Sequence, residues 1–92
     1  MSKRGAVEAN LAITITEDKW AEDGDVYRYV YHGMNLASHN VGIVTPTSKV
    51  KENIMEIAKC MVVSEQDGDA IIFTAIAKKP TRTLEYKLQV IG

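Results

Sequence analysis

An α+β domain with a mainly antiparallel sheet is the architecture this chain encodes, and three stretches carry that expectation. Residues 82–91 alternate without a fault: Leu84, Tyr86, Leu88 and Val90 fall on one side, Thr83, Glu85, Lys87 and Gln89 on the other. That is the period of a strand with one wet face. Residues 70–77 are almost continuously apolar, as a central strand covered on both faces would be, and Phe73, Thr74 and Ile76 favour strand over buried helix. Between Thr45 and Met61, the apolar residues Val50, Ile54, Ile57, Ala58 and Met61 recur at steps of four, three, one and three, which places them on one face of a 3.6-residue helix.

The remaining elements follow from the start of the chain. Residues 1–9 carry two bases and Gly5 with little to anchor them, so a frayed start is expected. Leu11 to Thr16 alternates, with Leu11, Ile13 and Ile15 to one side, and reads as a strand. Glu17 to Asp25 packs five acids with Trp20 and Gly24 into an acidic connection whose Asp-Gly-Asp supplies the turn; the same tripeptide recurs at 67–69. Val26 to Tyr31 alternates again and is expected to pair with the first strand as a hairpin. His32 to Asn40 reads as a loop, with an irregular strand piece near Met34 to Ala37. Val41 to Val44 is a short third strand feeding the helix through Thr45-Pro46, where Thr45, Thr47 and Ser48 offer caps. Lys78-Lys79-Pro80-Thr81 turns the chain between the last two strands, giving a long hairpin. The expected order is β-β-β-α-β-β: a sheet of four to five strands with one amphipathic helix, about 46–61, laid on one face. Ile57→Asp is the single change expected to break that helix–sheet contact.

With 92 residues, 46% hydrophobic and 25% charged, the composition is that of one small globular domain, residues 1–92, with a thin core that a second copy would reinforce. A net charge of -1 gives no global pull toward nucleic acid or anionic lipid. The lone Cys60 permits no intramolecular disulfide, and no apolar run suits a signal peptide or a membrane span, so a cytoplasmic protein is expected.

Chemistry is sparse. His32, His39 and Cys60 are the only imidazoles and the only thiol. The histidines are seven apart, a spacing that matches no common zinc pattern, and Cys60 stands in the last helical turn, where the dipole disfavours a thiolate. A metal protein or small enzyme centred on these three is the least favoured reading. The acids Glu17, Asp18, Glu22, Asp23 and Asp25 fail the calcium-loop pattern, because Gly24 at its sixth position puts Lys19 at the first and Ala21 at the third. No Gly-x-Gly-x-x-Gly, Gly-x-x-x-x-Gly-Lys or Gly-x-Ser-x-Gly occurs. No catalytic residue, metal or cofactor is therefore expected.

Two surfaces remain. Tyr27, Tyr29 and Tyr31 share one strand face, suited to protein contact or, less well, to stacking bases. Lys78, Lys79 and Arg82, with Lys49 and Lys51 as possible company, form a basic turn able to touch phosphates. The expectation is a non-enzymatic binding or regulatory module acting through protein contact as a homodimer. A nucleic-acid accessory protein using the tyrosines and the basic turn is the alternative.

Overall fold

The computed structural model describes residues 7–33, 36–37 and 39–92, with side chains from residue 9 onward. In chain order the elements are β1 (Val7–Ile15), β2 (Ala21–Asp23), β3 (Val26–His32), β4 (Val41–Pro46), α1 (Lys51–Cys60), β5 (Val62–Asp67), β6 (Ala70–Ala75) and β7 (Leu84–Ile91), with a 3-10 turn at Glu17–Lys19. The α+β expectation holds: among the described residues the strands pair antiparallel and one helix, α1, packs beside β7. The strands form two sheets, however, of three strands in the order β1-β7-β4 and of four in the order β2-β3-β6-β5.

The second sheet consists of two hairpins placed back to back. Asp23 pairs with Val26 across Gly24-Asp25, and Asp67 pairs with Ala70 across Gly68-Asp69. Both glycines take a left-handed φ, +66° and +64°, which a two-residue hairpin loop of this kind requires. The repeated Asp-Gly-Asp is thus one turn used twice. The inner strands of the two hairpins then pair with each other, Tyr29 opposite Phe73 and Tyr31 opposite Ile71.

The core lies between the sheets. Ile13, Ile15, Leu84, Leu88 and Val90 face it from the first, Ile71, Phe73 and Ala75 from the second, all at most 1% exposed. The Phe73 ring meets Tyr86 at 4.8 Å between centroids. Alternation makes this possible: β7 buries every second residue, so Glu85 and Lys87 stay outside while their neighbours are sealed.

Two expected hairpins do not form. The first strand pairs with β7, Ile13 opposite Tyr86, and leaves β3 to the other sheet. The chain between them buries Trp20, which draws it across the core. Likewise β6 and β7 belong to different sheets: the connection 76–83 sinks Pro80 completely and crosses between layers, because it is too long for a tight turn and has an apolar anchor to bury. The frayed start gives way to strand from Val7 onward, while residues 1–6 lie outside the described residues, as do Met34 and Asn35 of the strand piece expected near 34–37. The expected strand at 41–44 runs on to Pro46, the apolar strand ends at Ala75 rather than 77, and β2 and β5 are additional.

The helix is shorter than 46–61 and rotated. Pro46 closes β4 instead of opening α1, whose N-cap is Val50 without any side-chain cap bond. At the other end Met61 adopts the left-handed conformation, φ 53° and ψ 58°, and its N–H closes on Ala58 O and Ile57 O, so the chain leaves the helix directly into β5. Asn53, Glu56 and Cys60 face inward, with Ile57 half-buried beside them. Val50, Ile54, Ala58 and Met61, expected in the core, are exposed. The reason is a set of hydrogen bonds that outweighs the apolar stripe.

Candidate functional site

Asn53 fastens α1 to the first sheet. Its Nδ2 donates to Thr47 O and to Glu85 O, both at 2.9 Å, and its Oδ1 accepts from Glu85 N at 2.8 Å. One turn on, Glu56 holds the crossing segment: its carboxylate accepts from Thr81 N at 2.9 Å, from Thr81 Oγ1 at 3.3 Å and from Cys60 Sγ at 3.5 Å. The Thr81 N–H, with the hydroxyl and thiol behind it, keeps the Glu56 carboxyl below its usual range although burial opposes this. Cys60 experiences the reverse. Burial, then the adjacent Glu56 charge, pushes its thiol up to about 11. Burial likewise raises the Tyr86 phenol, whose Oη, like Trp20 Nε1, takes no hydrogen bond among the described residues. A nucleophile or zinc ligand must be a thiolate, and at neutral pH this group is a thiol. Carboxylate and thiol together therefore act as a staple between helix and crossing segment.

The inward turn of the polar side leaves the apolar stripe on the surface. At 100° per residue, Val50, Ile54, Ala58 and Met61 span one exposed face, with Ile54 at 39% and Met61 at 56% exposure. The stripe continues onto the second sheet. Ile76 N donates to Met61 O, which sets these two residues side by side. Val63 follows on β5 opposite Thr74, and Val30 on β3 opposite Ile72. Residues paired across an antiparallel ladder project to the same face. Since Phe73 and Ala75 face the core, Val30, Val63, Ile72 and Thr74 face away from it, and Ile76 and Val63 stand open at 45% and 52%. One apolar strip thus runs from the start of α1 onto the outer face of the second sheet. It contains no aromatic ring. Lys51 lies on the same side of α1, about 60° from Ile54 at 100° per residue, and Lys78 follows Ile76 by two residues. Lys59 is about 140° from Ile54, where it lines a separate hollow with Glu52, Met55 and Arg82, and Glu65 stands on the outer sheet face opposite Ile72.

The other expected residues fall as follows. Tyr27, Tyr29 and Tyr31 are brought together, but on the inner face, half-buried and packed against the core; Tyr29 stacks on Phe73 at 6.2 Å. Arg28, Val30 and His32 occupy the outer face of that strand, and Arg28 pairs with Asp23. Lys78, Lys79 and Arg82 are all exposed on the crossing segment, which abuts the C-terminal end of α1 through Ala77 N and Cys60 O. Lys49 and Lys51 stand at the opposite end of a ten-residue helix, about 15 Å away, and do not join them. His32 pairs with Ala70 at one end of β6, whereas Cys60 abuts Ala77 beyond its other end, a separation of about 20 Å at 3.3 Å per residue. His39 is exposed in the segment before β4. The acids are dispersed: Thr16 Oγ1 donates to Asp18, which lowers that carboxyl, and Asp23 is occupied by Arg28. Among the described residues no three histidines, cysteines or acids are grouped to hold a metal ion.

An open trough of about 590 Å³ lies along β1, β7, the end of β4 and the chain that follows it, lined by Asn10, Ala12, Thr45, Thr47, Lys49 and Lys87 among others. No sequence signal marks it, because three distant segments build it, and most of its polar side chains are exposed. Comparison with known proteins finds no family model, no curated protein and no solved structure that matches this chain.

Proposed function

We propose that this chain is a non-enzymatic protein-contact module whose working surface is the apolar strip of α1 and the second sheet, and that its partner is an acidic, amphipathic segment of another protein. The observation that carries the reading is the inverted helix: Asn53 and Glu56 are buried while Val50, Ile54, Ala58 and Met61 face water. Exposed apolar side chains gathered in one place lose free energy to hydration that only a covering surface recovers. The exposed bases Lys51 and Lys78 beside the strip suit acidic flanks. The strip has no ring on which a base could stack, and the tyrosines that could have served are turned inward, so protein is favoured over nucleic acid.

The test is a titration of the full chain with two model peptides sharing one amphipathic apolar face, flanked by glutamates in one and by lysines in the other, alongside a single-stranded oligonucleotide at low salt. The glutamate peptide should bind, and Ile54→Asp with Val63→Asp should weaken it by about tenfold or more while leaving the fold intact, since a charge would then be buried unpaired. Equal binding of the two peptides, or of neither, overturns the proposal. Salt-sensitive binding of the oligonucleotide alone, lost on Lys78→Glu with Lys79→Glu, would assign the surface to nucleic acid instead.

A further inference from the structure

The two sheets offer four edges, and three are blunted. β4 points its Gly42 N–H outward, but Gln66 Oε1 accepts it at 2.8 Å, and Pro46 has no N–H to offer. β2 is three residues long and carries Glu22 and Asp23. β5 carries Glu65 and Asp67. Short length, proline, charge and capping are the devices that keep sheet edges from pairing. β1 has none of them from Ala9 to Ile15, where the residues are Ala-Asn-Leu-Ala-Ile-Thr-Ile and the ladder is regular beyond the irregularity at Val7 and Ala9.

Which groups this edge presents follows from β7. Glu85 N and O both bond toward the β4 and α1 side, to Asn53 and Thr47. In an antiparallel ladder both groups of a residue point the same way and alternate along the strand. Leu84, Tyr86, Leu88 and Val90 therefore bond toward β1, where they meet Ile15, Ile13, Leu11 and Ala9. The N–H and C=O groups of Asn10, Ala12 and Thr14 are left pointing outward, and no bond to them is made among the described residues.

We propose that a second copy of this chain pairs with that edge, β1 against β1, antiparallel about a two-fold axis at Ala12. The strand is chemically symmetric about that residue. The axis sets Ala12 against its own copy, Asn10 against Thr14, Leu11 against Ile13 and Ala9 against Ile15, so small meets small, polar meets polar and apolar meets apolar, without a charge. The outward groups also match. Asn10, Ala12 and Thr14 each contribute one N–H and one C=O, and the axis uses all of them in the hydrogen-bonded pairs, whereas a two-residue slip to an axis at Ile13 sets Asn10 against Thr16, which lies beyond β1 and whose C=O already accepts from Lys19 N. An extended peptide of another protein would find the same backbone groups but not the side-chain symmetry. The inference is independent of the partner strip, which lies on α1 and the other sheet.

Sedimentation equilibrium of the full chain tests it, with Ala12→Asp, Ala12→Lys and their equimolar mixture. The unaltered chain, 10.2 kDa, should sediment at twice that mass. Each variant alone should give one-chain mass, because like charges then face each other at about 5.5 Å between Cα atoms. The mixture should return to double mass, because only this register sets the two substitutions opposite one another. One-chain mass for the unaltered chain, double mass for Ala12→Asp alone, or a mixture that stays single each overturns the proposal. A measurement free of substitutions checks the same register. Amide exchange at Asn10, Ala12 and Thr14 should be slow at high concentration and fast on dilution, while Leu11, Ile13 and Ile15 remain slow throughout. Exchange at the first three that does not respond to dilution overturns it as well.

Discussion

Asn53→Ala should cost this domain more than Ile54→Ala, the reverse of what adjacent polar and apolar helix positions ordinarily show. Asn53 is 3% exposed and makes three bonds at 2.8 to 2.9 Å, two to the backbone of Glu85 and one to that of Thr47. At about 0.5 to 1.5 kcal/mol net for each bond, removing all three costs about 1.5 to 4.5 kcal/mol. Ile54 is 39% exposed and has no part in the core cluster, so its truncation should cost under about 1 kcal/mol, against about 2 to 5 for an isoleucine sealed in a core. For a domain of this size 1 kcal/mol moves Tm by about 4 to 8 °C, so thermal unfolding followed by circular dichroism separates the two readily. Asn53→Leu sharpens the contrast: it adds apolar surface but strands the Glu85 N–H and C=O, and it should melt no higher than Asn53→Ala. A larger loss for Ile54→Ala, or a gain for Asn53→Leu, would show that α1 docks by apolar burial and would refute the account of its orientation.

The Glu56 carboxyl, held low by Thr81, contributes stability that is complete above the ordinary glutamate range near about 4.3 and is lost as pH falls through its lower folded value. Glu56→Gln should therefore melt lower at neutral pH, with the two curves converging in acid; parallel curves would count against the staple. Cys60 runs the other way: its raised thiol pKa stabilises the fold fully below about 8.5, the usual thiol value, and the benefit fades toward about 11. At neutral pH a thiol reagent should label Cys60 only as fast as the domain opens, and labelling at the rate of a free thiol would contradict its burial. Met61→Gly relieves a left-handed residue and should raise Tm by a few degrees, roughly 0.5 to 1 kcal/mol, while weakening the acidic peptide, since it removes a side chain from the strip. A lower Tm would mean that Met61 contributes to packing.

Legibility in the sequence followed the physical origin of each feature. Period-2 alternation identifies a buried face without reference to any partner, which is why the inward set Leu84, Tyr86, Leu88 and Val90 could be read residue by residue. Pairing is a property of two segments, and proximity in sequence is only a prior for it. Trp20 and Pro80, a tryptophan in an acidic run and a proline in a basic one, were the anchors that carry the chain between layers, and neither has a pattern that distinguishes anchor from turn. β5 was obscured by Ser64, Glu65, Gln66 and Asp67, yet its sign was present: the second Asp-Gly-Asp is the hairpin turn of the first. The helix position was legible from its period, but its orientation was not. A hydrophobic stripe predicts the buried face only when no polar group inside makes better bonds, and Asn53 with Glu56 makes them to backbone atoms more than 20 residues away. The strip was consequently visible as a residue set and misassigned as core.

The shape of the molecule explains why both proposed surfaces remain open in one chain. Its radius of gyration, 13.7 Å, exceeds the roughly 12 Å of a compact domain of this length, and its extents are 46 × 30 × 17 Å. That is a slab with a single layer of side chains between two sheets, so each sheet keeps an outer face in water and each layer ends in an edge. Pairing at β1 extends the first sheet sideways from three strands to six. The incoming copy approaches from the side away from β7 and joins the first sheet, whereas Val63, Ile76 and Val30 of the strip belong to the second sheet and its margin. A pair joined in this way presents two apolar strips, one per chain, and a partner bearing two acidic segments would be held by both at once with the gain of an intramolecular second contact. Ala12→Asp should then leave the affinity of a single acidic peptide per chain unchanged and remove only the advantage of the two-segment ligand. A variant that lost the single peptide as well would place edge and strip in one surface, contrary to a slab in which they lie apart.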